Sequence, residues 1–207
     1  NIWAGLLANA VRNAGLGVAI YDMEIARPTA EELASQIEDH DPRLILFVVT
    51  GQNPNASTAA MSGAIESAEQ IRKRCPSYLI SFVGPHVNAL PIETLYKHDC
   101  IDLVFTNEGV YSLLNLLASN LSENQIGKIN GLCYRGKDGS INTTPPSHIV
   151  PQEKLHEDLP GVAYDLMPPL NSYRTSSWHA NYHDEDRSPF ASIYTSLGCI
   201  FQCEFCM

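Results

Sequence analysis

The chain has 207 residues, of which 44% are hydrophobic and 17% charged, with a formal net charge of −10. That is the make-up of an ordinary globular protein holding one large domain, or one domain and a piece of another. The acidic balance argues against a protein that coats nucleic acid, which carries a basic patch or stripe, and no apolar run approaches the roughly 18–20 residues of a membrane span.

The ends point to a fragment open on both sides. Residue 1 is Asn with no signal-like stretch around it, and the chain stops one residue after a cysteine cluster. Trp3–Ala14 has helical spacing and ends at Gly15. It reads as the helix that follows a strand lying before residue 1. Four apolar runs come next: Val18–Tyr21, Leu44–Val49, Leu79–Val83 and Ile101–Phe105. Runs of this length, rich in Val, Ile, Leu and Phe, suit strands of a parallel sheet covered on both faces. Their starts are 26, 35 and 22 residues apart, enough for a crossover helix each time.

The intervening segments supply those helices. Thr29 with Glu32 three residues on has capping-box spacing. Ala56–Arg74 ends in Arg72-Lys73-Arg74 before Pro76, a basic last turn and a stop. Pro91–His98 and Gly109–Asn120 follow. The resulting order predicts an α/β fold with a doubly wound parallel sheet over residues 1–125, its first strand missing. Residues 126–190 read as a β-hairpin with an Asp138-Gly139 turn, then a proline-rich connecting arm. A new apolar strand from Phe190 to Thr195 opens a third segment, residues 191–207.

Six cysteines are present. Cys75, Cys100 and Cys133 fall singly in core elements and read as inert thiols of a protein from a reducing compartment. Cys199, Cys203 and Cys206 form a C-x3-C-x2-C cluster. Three thiolates this close can converge on one metal centre and leave a coordination position open. Structural zinc would want a fourth ligand at short spacing, and His179 and His183 lie sixteen or more residues upstream. A thioredoxin-like reading of Cys203-Glu204-Phe205-Cys206 leaves Cys199 unexplained.

The segment Tyr194-Thr195-Ser196-Leu197-Gly198-Cys199-Ile200-Phe201-Gln202-Cys203-Glu204-Phe205-Cys206 resembles the first barrel strand and cluster loop of radical S-adenosylmethionine (radical SAM) enzymes. The resemblance implies that Cys199, Cys203 and Cys206 hold three irons of a 4Fe-4S cluster. It implies that SAM binds the fourth iron and that Phe205 lies near the SAM adenine. An electron into the cluster, from a donor such as flavodoxin or ferredoxin, would release a 5′-deoxyadenosyl radical that abstracts hydrogen from a small-molecule substrate.

A doubly wound domain, hairpin and arm before that motif resemble the cobalamin-binding radical SAM proteins. The segment Leu159–Leu166 also matches their lead into the barrel. The resemblance implies a cobalamin site at Thr50-Gly51, Gly84-Pro85-His86 and Glu108-Gly109, where glycines let backbone approach a bulky ligand. It implies methyl transfer to an unactivated carbon or a radical cyclisation, in a cytoplasmic, oxygen-sensitive parent protein with no membrane span and no nucleic-acid partner. The chain departs from the family at Val83, where a second glycine is frequent, and in the turn Thr106-Asn107-Glu108-Gly109-Val110. The D-x-H-x-x-G motif that supplies a cobalt ligand is not present. As a fragment the chain is expected to be inactive alone, with any cluster absent or labile.

Simpler roles stand beside these. The glycines suit ordinary turns, and His86 suits a loop histidine bonded to backbone. His183-Asp184-Glu185-Asp186-Arg187 suits a solvated loop. Trp178 and Tyr182 suit an anchor for the arm. Two other functions fit the same residues: a radical SAM enzyme whose doubly wound domain does not bind cobalamin, and a non-catalytic cobalamin-binding module.

Overall fold

The computed structural model describes residues 1–50, 54–174, 187–194 and 197. Its elements run α1 (Ile2–Asn13), α2 (Met23–Ala26), α3 (Ala30–His40), β1 (Ile45–Val48), α4 (Pro54–Arg74), β2 (Ile80–Val83), α5 (Pro85–Ala89), α6 (Pro91–Lys97), β3 (Leu103–Phe105), α7 (Val110–Ala118), α8 (Glu123–Ile126), β4 (Leu132–Arg135), β5 (Ile141–Thr143) and α9 (Leu155–Asp158). They fall into two compact units. Among the described residues, one is Pro28–Asp158; the other combines Asn1–Arg27 with those that follow from Leu159.

The larger unit is an α/β fold built on one sheet in the order β1-β2-β3-β4-β5. β1, β2 and β3 are parallel, as the apolar runs and crossover spacings require. β4 and β5 are antiparallel additions to the same sheet. The hairpin therefore extends the sheet and covers the flank of β3, with Leu132 and Cys133 buried. Its Asp-Gly turn is as expected: Gly139 has φ +80°, and Asp138 Oδ1 accepts from Ser140 N (3.0 Å) and Oγ (2.6 Å).

β2 and β3 are buried along their whole length, whereas β1 is only half-buried because it lies at the edge of the sheet among the described residues. The helices follow their sequence signals. Thr29 and Glu32 form a complete capping box, with Thr29 N–H donating to Glu32 Oε2 (2.7 Å) and Glu32 N–H to Thr29 Oγ1 (3.2 Å). In the last turn of α4, Arg72 reaches beyond the helix. Its guanidinium donates to the carbonyls of Pro76 (2.8 Å), Tyr78 (3.1 Å) and Cys100 (3.2 Å) and to Asp102 Oδ2 (2.5 Å). The same Asp102 oxygen accepts from Ile80 N–H (2.7 Å), so one cation ties α4 to the amino ends of β2 and β3.

Three expectations are corrected. Val18–Tyr21 belongs to no strand. A strand exists only through a neighbour's ladder, and this run sits in the other compact unit from the sheet. Phe190–Tyr194 is likewise not a strand, and Ile193 and Tyr194 are exposed. Gly84-Pro85-His86 is not a loop but the start of α5, with Gly84 as N-cap and Pro85 in the first turn.

In the smaller unit, α1 packs against the segment that follows Leu159. Asn9 Nδ2 donates to the Gly161 carbonyl (3.0 Å), Ala163 N–H to the Gly5 carbonyl (3.1 Å), and Arg12 holds both oxygens of Asp165 (2.6 and 3.2 Å). Gly5 permits this contact: a Cβ there would lie 2.4 Å from Val162 and 2.6 Å from Met167. Among the described residues no helix is long and apolar enough to cross a membrane.

Candidate functional site

The register brings Val48, Val83 and Phe105 level, so the carboxyl ends of the three parallel strands form one rim. Open α/β sheets bind ligands outside the carboxyl ends of their strands. Thr50, Gly84, Glu108 and Gly109 all lie on that rim, as do Pro85 and His86 at the start of α5. A separate cleft of about 350 Å³, lined by Asp41, Arg43, Tyr78 and Leu79, sits at the opposite, amino end of β1 and β2.

Each rim position has a local cause. At Gly84 φ is +147°, and a Cβ would stand 2.1 Å from the Val49 carbonyl oxygen. Only glycine lets β2 turn into α5 against the end of β1. Gly109 is the N-cap of α7 with φ +75°, and a Cβ there would press on Val83 (3.0 Å) and Phe105 (3.2 Å). His86 Nδ1 lies 3.1 Å from Thr58 Oγ1, joining α5 to α4; which group donates depends on the ring tautomer.

The turn after β3 is held from two sides. Asn107 N–H donates to Asn88 Oδ1 (2.7 Å) on α5, and Asn107 takes φ +56°, a conformation asparagine tolerates. Glu108 Oε2 accepts from Val150 N–H (2.8 Å). One turn on, Tyr111 O–H donates to Asp158 Oδ2 (2.6 Å), and this bond pushes the phenol up to about 12.

Thr50, Gly84, Pro85, His86, Glu108 and Gly109 therefore share one rim. Gly51, Cys199, Cys203, Phe205 and Cys206 lie outside the described residues, as do Trp178, Tyr182 and the acidic run from His183 to Asp186. Cys75, Cys100 and Cys133 are buried free thiols, each raised chiefly by burial, as inert core cysteines should be. Among the described residues no group of His, Cys, Asp or Glu is disposed to hold a metal ion.

Sequence reasoning missed Thr58, Asn88 and Tyr111. Asn88 carried a signal, as an asparagine ending a short Pro-initiated turn. Thr58 and Tyr111 carried none, because their partners lie 28 and 47 residues away.

The family model described as B12 binding domain matches residues 1–117, more than half of the chain. The chain belongs to the B12-binding domain family. Among curated relatives, it is 27% identical over 191 residues to an uncharacterized methyltransferase, PH0819, of Pyrococcus horikoshii, covering 90% of this chain and 37% of that protein. It is 26% identical over 194 residues to the anaerobic magnesium-protoporphyrin IX monomethyl ester cyclase of Synechocystis, covering 94% of this chain and 35% of the cyclase. The chain thus spans little more than a third of the length of these relatives. The structure of the cobalamin-dependent S-adenosylmethionine radical enzyme OxsB, with aqua-cobalamin and S-adenosylmethionine bound, superposes with a TM-score of 0.57 at 20% identity. The match covers 80% of this chain and 22% of that one. This B12-binding domain shares the fold of that enzyme's corresponding part.

Thr50, Thr58, His86, Asn88 and Asn107 place hydroxyl, imidazole and amide groups on or beside the rim, next to the Glu108 carboxylate.

Proposed function

We propose that this B12-binding domain is the cobalamin-holding part of a radical SAM enzyme that carries out methyl transfer to an unactivated carbon or a radical cyclisation on a small-molecule substrate. The observation that carries the reading is the family match over residues 1–117, which includes every described rim residue on β1, β2 and β3. The relatives are of methyltransferase and cyclase type, in keeping with both reactions.

Bound cofactors would supply the methyl-group and radical chemistry; the chain's own residues bind and orient them. Thr50, Gly51, Gly84, Pro85, His86, Glu108 and Gly109 are assigned to the cobalamin rim. Gly84 and Gly109 keep the backbone low there, and the His86–Thr58 pair sets a polar edge between α5 and α4. Cys199, Cys203 and Cys206 are assigned to a 4Fe-4S cluster and Phe205 to SAM, on the C-x3-C-x2-C motif. An electron donor such as flavodoxin or ferredoxin would complete the system.

The test is an anaerobic titration with hydroxocobalamin, followed by visible absorbance and by co-elution on a sizing column. Stoichiometric binding is expected. A chain that elutes free of corrinoid would refute the cobalamin assignment and favour an enzyme whose doubly wound domain serves another purpose. The cluster assignment has its own test. Anaerobic reconstitution of the enzyme should load iron and sulfide, and Cys203→Ala should abolish loading; a variant that loads like wild type refutes it.

A further inference from the structure

The segment that follows β5, through the end of α9, is tied to the rim along its length. The Pro145 carbonyl accepts from Gly131 N–H (2.7 Å), the Ser147 carbonyl from Asn107 Nδ2 (3.2 Å), and Val150 N–H donates to Glu108 Oε2 (2.8 Å). Asp158 closes the segment by accepting from Tyr111 (2.6 Å). The Val150 side chain is buried while its neighbour Ile149 is 59% exposed, so the strap is anchored at Val150 and open beside it. The fit is tight: at Gly131, with φ +80°, a Cβ would meet Ser147 Cβ at 2.6 Å.

Asn107, Glu108 and Tyr111 all belong to the turn and first helical residues after β3, that is, to the rim itself. Residues 145–158 are thus a wall of the rim, held by its own side chains. A carboxylate that accepts a backbone N–H makes one of the stronger kinds of hydrogen bond, and the Val150 N–H is held this way at 2.8 Å.

We infer that Glu108 is a positioning residue of the cobalamin rim, acting on the ligand by latching the 145–158 strap closed at Val150. This rests on the cobalamin reading above. A ligand seated on the rim meets the closed strap, and loosening the latch lowers the population of the competent form.

The test combines amide hydrogen exchange with hydroxocobalamin titration on the 207-residue chain. Glu108→Ala should raise exchange across 147–158 by about tenfold and weaken binding by a similar factor, the scale of one lost charge-assisted hydrogen bond. Exchange in β2 and β3 should stay unchanged, which separates a local opening from global destabilisation. Glu108→Gln keeps an acceptor oxygen for Val150 and should recover most of both losses. Tyr111→Phe, which frees the far end of the strap at Asp158, should move exchange and binding in the same direction by a smaller factor.

The inference is overturned if Glu108→Ala weakens binding while strap exchange stays at the wild-type level, since the carboxylate then acts directly. It is also overturned if the strap loosens and binding does not change. Failure of the wild-type chain to bind hydroxocobalamin refutes the reading beneath it, and refutes the positioning role with it; in that case the exchange data still report whether the latch exists.

Discussion

The rim depends on Gly84, and Gly84→Ala tests how strictly. Gly84 has φ +147° and ψ 171°, a region that essentially only glycine occupies. Holding alanine there costs about 1–3 kcal/mol. The added methyl would stand 2.1 Å from the Val49 carbonyl oxygen and 3.0 Å from its carbon. Both are backbone atoms with no rotamer to yield, so β1 or the β2–α5 turn must move, at a further cost of about 1–3 kcal/mol. Together these give a loss of about 2–6 kcal/mol, against a total stability of order 5–15 kcal/mol for a typical domain. At about 2–4 °C per kcal/mol for a chain of this size, the melting temperature should fall by about 10 °C. The displacement also works against the Val49 N–H to Val83 carbonyl bond (2.9 Å), so hydroxocobalamin binding should fall with it. Gly63→Ala is the matched control. Gly63 is exposed within α4 and a Cβ there meets nothing within 4 Å; the change should stabilise by about 0.5–1 kcal/mol. Thermal and urea denaturation followed by circular dichroism decide the matter. A Gly84→Ala protein melting within about 2 °C of wild type, beside a stabilised Gly63→Ala, would refute the reasoning.

Arg72→Ala should cost about 2–3 kcal/mol, because it strands Asp102 and three carbonyls in a half-buried setting. Arg72→Lys should recover little, since an ammonium cannot fork to these acceptors; a urea midpoint unchanged in Arg72→Ala would count against the network. Tyr111 is raised in the folded state, from 10.0 to about 12, by its bond to Asp158. Its contribution is therefore intact below pH 10 and lost as pH rises toward 12. Tyr78 and Tyr173 are raised as well, so several tyrosinates should appear late in an alkaline absorbance titration, and one of them should vanish in Tyr111→Phe; a titration identical in the two proteins would refute the assignment. Glu32 is held below its ordinary 4.5 chiefly by the Thr29 backbone N–H, and Asp165 below its ordinary 3.8 chiefly by Arg12. Depressed carboxylates stabilise above their ordinary values and lose that contribution as pH falls through the lowered ones. Melting temperature should therefore decline below about pH 4.5, less steeply in Glu32→Gln; parallel acid limbs for variant and wild type would refute it.

What could be read from the sequence was what rests on nearby residues. The Thr29–Glu32 box, the Asp138-Gly139 turn and the stop of α4 before Pro76 are all local chemistry within a few positions. The runs behind β1, β2 and β3 were legible because a doubly covered strand has to be apolar throughout. Val18–Tyr21 has the same composition and is not a strand, because composition cannot supply a hydrogen-bonding neighbour. The rim residues Thr50, Gly84 and Glu108 were placed together correctly by topology alone, since parallel strands end on one side. Their partners were out of reach: Val150 is 42 residues from Glu108, and Cys100 and Asp102 are 28 and 30 from Arg72. Such pairings are products of the fold and leave no local mark.

The glycines of the rim change how a ligand signature should be weighed. Gly84 is demanded by the Val49 carbonyl, and Gly109 by Val83, Phe105 and a left-handed N-cap. Both would be required with or without a ligand, so neither is evidence of one by itself. Recognition must instead rest where the fold leaves the side chain a choice. Thr50, Thr58, His86 and Asn88 are such positions: none is fixed by backbone conformation, and all lie on the carboxyl side of the sheet or on the helices that leave it. His86 is the sharpest case. Its Nδ1 faces Thr58, which orients the ring, and the hydroxyl can serve either tautomer by donating or accepting. Replacing Thr58 by Val removes the hydroxyl and keeps the shape. If the rim recognises its ligand through this ring, hydroxocobalamin affinity should drop while thermal stability holds. If recognition lies wholly in the backbone held low by Gly84 and Gly109, both should remain as they are.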